Sequence, residues 1–188
     1  MKKVYLDNAA TTPMAPEIIE MMSGMMKTNF ANPSSVHSFG RESKIIVENA
    51  RKSIANLLNT SPGSIFFTSG GTEADNMAIK CGINDHNIFH AITSKLSHHA
   101  VLFPLEDLAA EGKIQLSYID IDENGVVSLS HLKELLKNNP RTFVSIMHAN
   151  NEIGTIQDLK QIGEICKEYN AIFHSDTVQT IAHYPFDM

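Results

Sequence analysis

Clustered positive charge, cysteine and long apolar runs are what this sequence has least of, and each shortage removes a class of function. Its 15 Lys and Arg residues against 21 Asp and Glu leave a net charge of −6. No stretch concentrates the basic residues, whereas a nucleic-acid partner requires a dense positive face. Two cysteines, Cys81 and Cys166, are too few for a disulfide framework. No apolar run approaches the ~20 residues that cross a bilayer, so no membrane association is expected. The opening "MKKVYLDNAATTP" turns polar after Val4, Tyr5 and Leu6, which is not a signal peptide. No repeat, low-complexity stretch or linker interrupts the chain. His86 and His90 have an i, i+4 spacing but straddle a loop-to-strand junction without a Glu partner, so no metal site is expected. What remains is the composition of a soluble, cytoplasmic globular protein, 43% hydrophobic and 19% charged. Its 188 residues make one domain or slightly more, enough to bury roughly 70% of the unfolded surface.

Helical and strand patterns alternate along the chain. "PEIIEMMSGMMK" carries Ile18, Met21, Met22, Met25 and Met26 at helical spacing, a stripe that reads as core packing. "RESKIIVENARKSIANLL" predicts a second helix with Val47, Ala50, Ile54 and Leu57 inward. "SIFFTS" reads as a strand, and "TEADNMAIKCG" as a helix closed by Gly82. A strand "NIFHAITS", a helix from about His99 to Glu111 and a strand "KIQLSYID" follow. "LSHLKELLKNN" is a helix stopped by Pro140. After the strand "TFVSIM" comes a helix burying Leu159, Ile162, Cys166 and Tyr169, and "AIFHS" is the last strand. Short strands alternating with helices predict an α/β fold, three αβα layers around a mostly parallel sheet. In such sheets ligands lie beyond the carboxyl ends of the strands.

Four strand ends carry unusual residues. "FFTSGGTEADN" offers Gly70 and Gly71 for close backbone approach, and Thr72 with Asp75 resembles a capping box. This is either an ordinary strand-to-helix turn or a phosphate site at a helix N-terminus. "TSKLSHHAVL" places His98 and His99 at a helix start, as solvated surface or as an imidazole for a ring to stack on. "SIMHANNEIG" ends a buried strand in His148, Asn150, Asn151 and Glu152, as a hydrogen-bonded turn or as ligand contacts. "AIFHSDTVQ" ends a buried strand on Asp176 with nothing basic nearby. A lone buried carboxylate is costly, so Asp176 either opens a solvated loop or awaits a cation the chain does not encode. Taken together the four ends suit one ligand with a phosphate, a flat ring, a ring oxygen and a protonated ring nitrogen. Pyridoxal phosphate has all four, and its ring nitrogen requires an acidic partner.

The segments "VYLDNAATTP", "NPSSVHSFG", "ARKSIANLL", "IFFTSGGTEADNMAIK", "HHAVL", "VSIMHANNEIGTIQDL" and "HSDTVQTIAHYPFD" follow one another as in cysteine desulfurases. These belong to the class V aminotransferase group of fold-type-I pyridoxal-phosphate enzymes. The resemblance spans essentially the whole chain. It implies that Gly71 and Thr72 hold the cofactor phosphate, that His98 stacks on the ring and relays a proton, and that Asn151 and Gln179 contact the ring oxygen. It assigns Asp176 to the ring nitrogen, and Asn8, Ala9, Asn32 and His37 to the substrate side. The activity it implies is release of sulfur from L-cysteine as an enzyme persulfide, leaving L-alanine. That sulfur would serve iron–sulfur cluster or thio-cofactor synthesis, in a homodimer that hands it to an acceptor or scaffold protein.

The resemblance also predicts a departure. The family's cofactor-binding lysine and persulfide-carrying cysteine fall after the segment that ends at Met188. Lys80 and Lys95 do not match the lysine segment, and Cys81 and Cys166 read as structural thiols. The expectation is therefore an N-terminal arm over residues 1–15 and a partial cofactor-binding large domain over 16–188, incomplete at its C-terminal end. Such a chain would be inactive alone, and an oligomer or marginally stable. An orphaned, non-catalytic cofactor cradle and another class V enzyme such as selenocysteine lyase are the competing expectations.

Overall fold

Proline opens the first helix, where its missing N–H costs nothing. Helix α1 runs over Pro16–Thr28, with Glu17 in its first turn and Lys27 in its last, each sign matched to the helix dipole. The computed structural model describes residues 2–139 and 141–188; Pro140, the expected helix stop, lies outside them. Two compact units divide the chain, one reaching Phe67 and including Tyr184–Met188, the other Thr68–His183.

In the first unit, α1 buries no residue, and Met22 and Met26 are 43% and 72% exposed. The reading of the methionine stripe as core is thus corrected. Periodicity identifies the apolar face of a helix, not whether anything covers it. Helix α2 (Ser38–Leu57) is also inward on a different line than expected. Ser43 and Ala55 are buried, with Val47 and Arg51 half-buried between them at four-residue spacing. Ala50, Ile54 and Leu57 are exposed. Arg51 explains this choice and one further departure. Its guanidinium pairs with Glu48 at 3.2 Å, lies 4.8 Å over the Phe67 ring and donates to the Ile65 carbonyl. "SIFFTS" is accordingly not a strand. A 3₁₀ turn takes Pro62–Ser64, and the Ile65–Phe67 segment is held by an arginine rather than by a ladder. Strand propensity expresses packing on a neighbouring strand, and among the described residues no strand pairs with this segment.

The second unit is a four-stranded parallel sheet in the order β2–β1–β3–β4. Its strands are β1 (His90–Thr93), β2 (Gln115–Tyr118), β3 (Thr142–Ser145) and β4 (Ile172–His174). Helices α3 (Gly71–Asp85) and α4 (His99–Ala110) precede and follow β1, α5 (Leu129–Asn138) follows β2, and α6 (Leu159–Glu168) follows β3. Alternation along the strands builds the three layers. Ala91 and Phe143 are paired in register and pack with Ile79, Ile83 and Leu105 of α3 and α4. Their neighbours Ile92 and Val144, also paired, pack with Leu132, Ile162 and Ile165 of α5 and α6. β1 and β3 are buried throughout, as central parallel strands covered on both faces should be.

Gly82 does not close α3, which continues to Asp85. A Cβ there would sit 2.6 Å from Phe143 Cε2, so the glycine is a notch that seats a fully buried ring, not a cap. Burying such a ring contributes about 1.5–3 kcal/mol. Gly82→Val is expected to lower unfolding stability in urea by about 1–3 kcal/mol, the usual effect of overpacking. Unchanged stability would mean that the ring has room to yield.

Candidate functional site

A parallel sheet brings the carboxyl ends of all its strands to one edge, and here that edge gathers the singled-out residues of the second unit. His98 follows β1, Asn151 follows β3, and Asp176 and Gln179 follow β4. The start of α3 meets the loop after β4, because a Cβ on Gly71 would stand 2.9 Å from Val178 Cγ2. Only glycine permits that approach.

The N-terminus of α3 is left open by side chains. Its cap is Gly70, which has no side chain to offer, so the expected capping box of Thr72 and Asp75 is not formed. Helix begins at Gly71, which puts Thr72 inside the first turn. Glu73 instead turns back to the Ser69 N–H and hydroxyl, at 2.6 and 2.7 Å, and these bonds hold its carboxyl below the usual range. The first N–H groups of the helix, with the positive end of its dipole, suit an anion.

His98 is the cap of α4. Its Nδ1 accepts from the Ala100 N–H at 3.1 Å, which fixes the ring at an exposed position and leaves Nε2 as the available nitrogen. His99 turns to Phe103 instead, stacking at 4.8 Å. The two asparagines after β3 divide their work. Asn150 is buried, donates to the Leu96 carbonyl at 2.9 Å and accepts from the Glu152 and Ile153 N–H groups, so it pins the loop. Asn151 is half-buried, and its amide donates to its neighbour Glu152 at 2.7 Å. His148 is braced by Thr180 at 2.9 Å, and burial pushes its pKa down.

Asp176 is half-buried. One carboxylate oxygen accepts from the Val178 N–H at 2.9 Å, and its own carbonyl accepts from the His148 N–H at 2.9 Å. Among the described residues no Lys or Arg pairs with it. Burial raises its pKa above the usual carboxylate range, with Asp75 pushing the same way against Val178, His174 and His98. Gln179 is half-buried beside it.

Asp75, read in the sequence only as part of a capping box, and His174, given no role there, also lie at this edge. Asp75 is 5% exposed, its Oδ1 3.5 Å from His174 Nε2, while His174 Nδ1 is bonded to Ser145 Oγ at 2.9 Å. A signal for both existed. His174 and Asp176 are two apart along an extended segment, and Gly71 and Asp75 four apart on a helix, so each pair shares a side.

The remaining candidates fall elsewhere. His90 is buried in the sheet with Nδ1 on Thr142 and Nε2 on Ser117, both at 2.9 Å, while His86 caps the end of α3. Among the described residues no cluster suited to a metal ion forms, and no helix is long and apolar enough to cross a membrane. Cys166 is buried, its thiol pushed up to about 12 by burial, which suits a structural role. Cys81 is exposed and lies outside both cores, so burial does not support that role for it. In the first unit, Asn8 and Ala9 lie in an exposed turn, Asn32 accepts from the Ser34 N–H at 2.9 Å, and His37 Nδ1 caps α2 through the Gly40 N–H.

The family model of class-V aminotransferases matches residues 4–188. The chain belongs to that family. A cysteine desulfurase IscS of Dictyoglomus turgidum is 45% identical over 190 residues, covering all of this chain and 48% of that protein. A solved NifS-like protein superposes with a TM-score of 0.93 at 37% identity, over all of this chain and 52% of that one. SspA in complex with cysteine follows at a TM-score of 0.90 and 33% identity, over 97% of this chain and 53% of that one. The chain thus spans about half the length of the relatives it matches.

In this class-V chain the raised Asp176 has a consequence for stability. Between the ordinary carboxylate range and its folded midpoint, the native state binds more protons than the unfolded state, so stability falls as pH rises through that window. Asp176→Asn keeps an oxygen for Val178 and removes the charge. The variant is expected to be more stable than the parent at pH 7 by about 1 kcal/mol, a low figure because solvent still screens the group. The difference should close as the pH falls below about 4. Thermal melts across pH measure it, and a less stable variant at pH 7 would show that the charge is already compensated.

Proposed function

We propose that this chain is the cofactor-cradling part of a pyridoxal-phosphate-dependent cysteine desulfurase, which takes sulfur from L-cysteine and leaves L-alanine. The observation that carries the reading is Asp176, a half-buried carboxylate that no Lys or Arg among the described residues neutralises, at the same sheet edge as an uncapped helix. The residues fit the group. Gly71 is shaped for close approach, the first N–H groups of α3 suit a phosphate, and an acidic side chain stands where a cationic ring nitrogen would be held. When bound, pyridoxal phosphate supplies an electron sink for bond changes at the amino acid's carbons.

The chain's own residues do the rest. Gly71 and Thr72 hold the phosphate through the helix N-terminus. His98 presents its ring face for stacking, and with Nδ1 occupied by Ala100 it holds or passes a proton at Nε2. Asn151 and Gln179 orient the ring through its oxygen. Asp176 keeps the ring nitrogen protonated, and Asn8, Ala9, Asn32 and His37 serve the substrate side. The sulfur goes to an acceptor or scaffold protein for iron–sulfur or thio-cofactor synthesis, with the complete enzyme a cytoplasmic homodimer. Residues 1–15 act as an arm and the remainder as the cofactor-binding domain. Cys166, buried with its thiol held protonated, is no sulfur carrier.

No lysine of this chain is expected to bond covalently to the cofactor. Lys80 lies eight residues beyond Thr72, about 12 Å along α3. The Lys95 ammonium sits over Tyr118 of β2, 5.7 Å from the ring centre. β2 and β4 are opposite edges of the sheet, about 14 Å apart at the usual strand spacing. Borohydride reduction of the chain with pyridoxal phosphate is therefore expected to label no single lysine stoichiometrically. Dominant labelling of Lys80 or Lys95 in the peptide map would refute this placement.

The activity is tested by putting this chain in place of the matching 48% of the Dictyoglomus turgidum relative. The chimera is expected to release alanine from L-cysteine, and Asp176→Ala in it to lower kcat by at least about 100-fold with the fold intact. A folded chimera that binds pyridoxal phosphate but releases no alanine would sink the desulfurase reading.

A further inference from the structure

Two carboxylates and two imidazoles surround the end of β4, and the cofactor reading uses one of each. Asp75, on α3, is buried without a Lys or Arg partner among the described residues. A second buried carboxylate beside Asp176 ought to make the two compete, one of them keeping a proton. His174 opposes this. Its Nε2 faces Asp75 Oδ1 at 3.5 Å, and its Nδ1 is bonded to Ser145 Oγ at 2.9 Å. Its ring lies nearly parallel to Phe143, 19° apart with centres at 5.9 Å. The imidazole is thus bonded at Nδ1, packed on one face and turned with Nε2 toward Asp75. The serine hydroxyl can accept from a protonated Nδ1, so the site admits the doubly protonated ring. A charged ring opposite Asp75 would make the pair neutral and leave Asp176 as the carboxylate to ionise. The titratable groups that act on Asp176 come from three elements, Asp75 of α3, His174 of β4 and His98 at the start of α4.

We infer that Asp75 and His174 are positioning residues for Asp176, an acid–imidazole pair seated on Ser145 and Phe143 that leaves the neighbouring carboxylate negative and ready for a cationic ring nitrogen. The ring nitrogen rests on the cofactor reading above; the pair does not. The pair acts without touching the ring itself, by deciding which of two acids keeps a proton.

The test uses this chain with carboxyl and imidazole carbons followed by NMR across pH, and pyridoxine 5′-phosphate as the probe. That probe has the ring and phosphate but no aldehyde, so surface lysines cannot trap it. His174→Gln keeps a hydrogen-bonding side chain and removes the charge. The Asp176 carboxyl midpoint is expected to rise by about 1 pH unit, with about tenfold weaker binding of the probe at the pH where the parent has just ionised. A folded variant whose Asp176 midpoint does not move overturns the inference, while probe binding by the parent chain still supports the cofactor reading. A moved midpoint with no probe binding by the parent overturns the ring-nitrogen role and the cofactor reading together. If His174→Gln does not fold, Asp75→Asn is read instead. Its His174 ring midpoint should fall, since the anion opposite Nε2 is gone, and an unmoved midpoint overturns the pairing.

Discussion

A carboxylate that the fold half-buries and does not neutralise is the constraint around which this chain's second unit is arranged. Asp176 accepts from the Val178 N–H and has burial against its charge. Placing a charge so costs stability, and the surrounding elements limit that cost without removing it. β4 carries the carboxylate to the sheet edge, His174 two residues earlier occupies the competing acid on α3, and His148 ties the Asp176 carbonyl back to the end of β3. A site left electrically unfinished by its own protein is where a charged ligand has most to contribute.

The precision of that edge derives from the packing beneath it. β1 and β3 are buried on both faces, and their alternation sends Ala91 and Phe143 to one helical layer and Ile92 and Val144 to the other. The same Phe143 connects core and site. One part of its ring fills the notch at Gly82, and His174 lies against it. The imidazole that faces Asp75 is therefore held by a ring that is itself held by α3, the helix that carries Asp75. Core packing and site electrostatics share one side chain, so a change at Gly82 would be felt at His174.

Much of this was legible in the sequence, and the failures share a cause. The helices, the parallel sheet and three of the four strand ends follow from periodicity and from polar residues after apolar runs; the fourth, before α3, has no strand behind it. What misled was every feature that depends on a partner far along the chain. The methionine stripe of α1 is correctly amphipathic yet uncovered. "SIFFTS" has the composition of a strand but meets Arg51 instead of a ladder. Gly82 resembles a helix terminator and is a seat for Phe143. Thr72 and Asp75 have capping-box spacing, but Gly70 starts the helix first and Asp75 is drawn inward by His174. In each case the local pattern permits two structures, and a tertiary neighbour selects one.

The same reasoning separates what Asp75 does from what its position suggests. Near the N-terminus of a helix an acid is ordinarily explained by the dipole and by capping. Glu73 already takes that role through Ser69, so Asp75 is not needed for it. A second acid two residues further on, buried rather than solvated, has no local reason to be there. Its reason lies across the layer, in the imidazole of β4, and the placement of both beside Asp176 gives the pair its meaning. Two acids and one imidazole carry a net single negative charge when the imidazole is protonated, which is the complement of one cationic ring nitrogen. The charge count of the cluster, more than any single contact in it, matches the ligand that the strand ends describe.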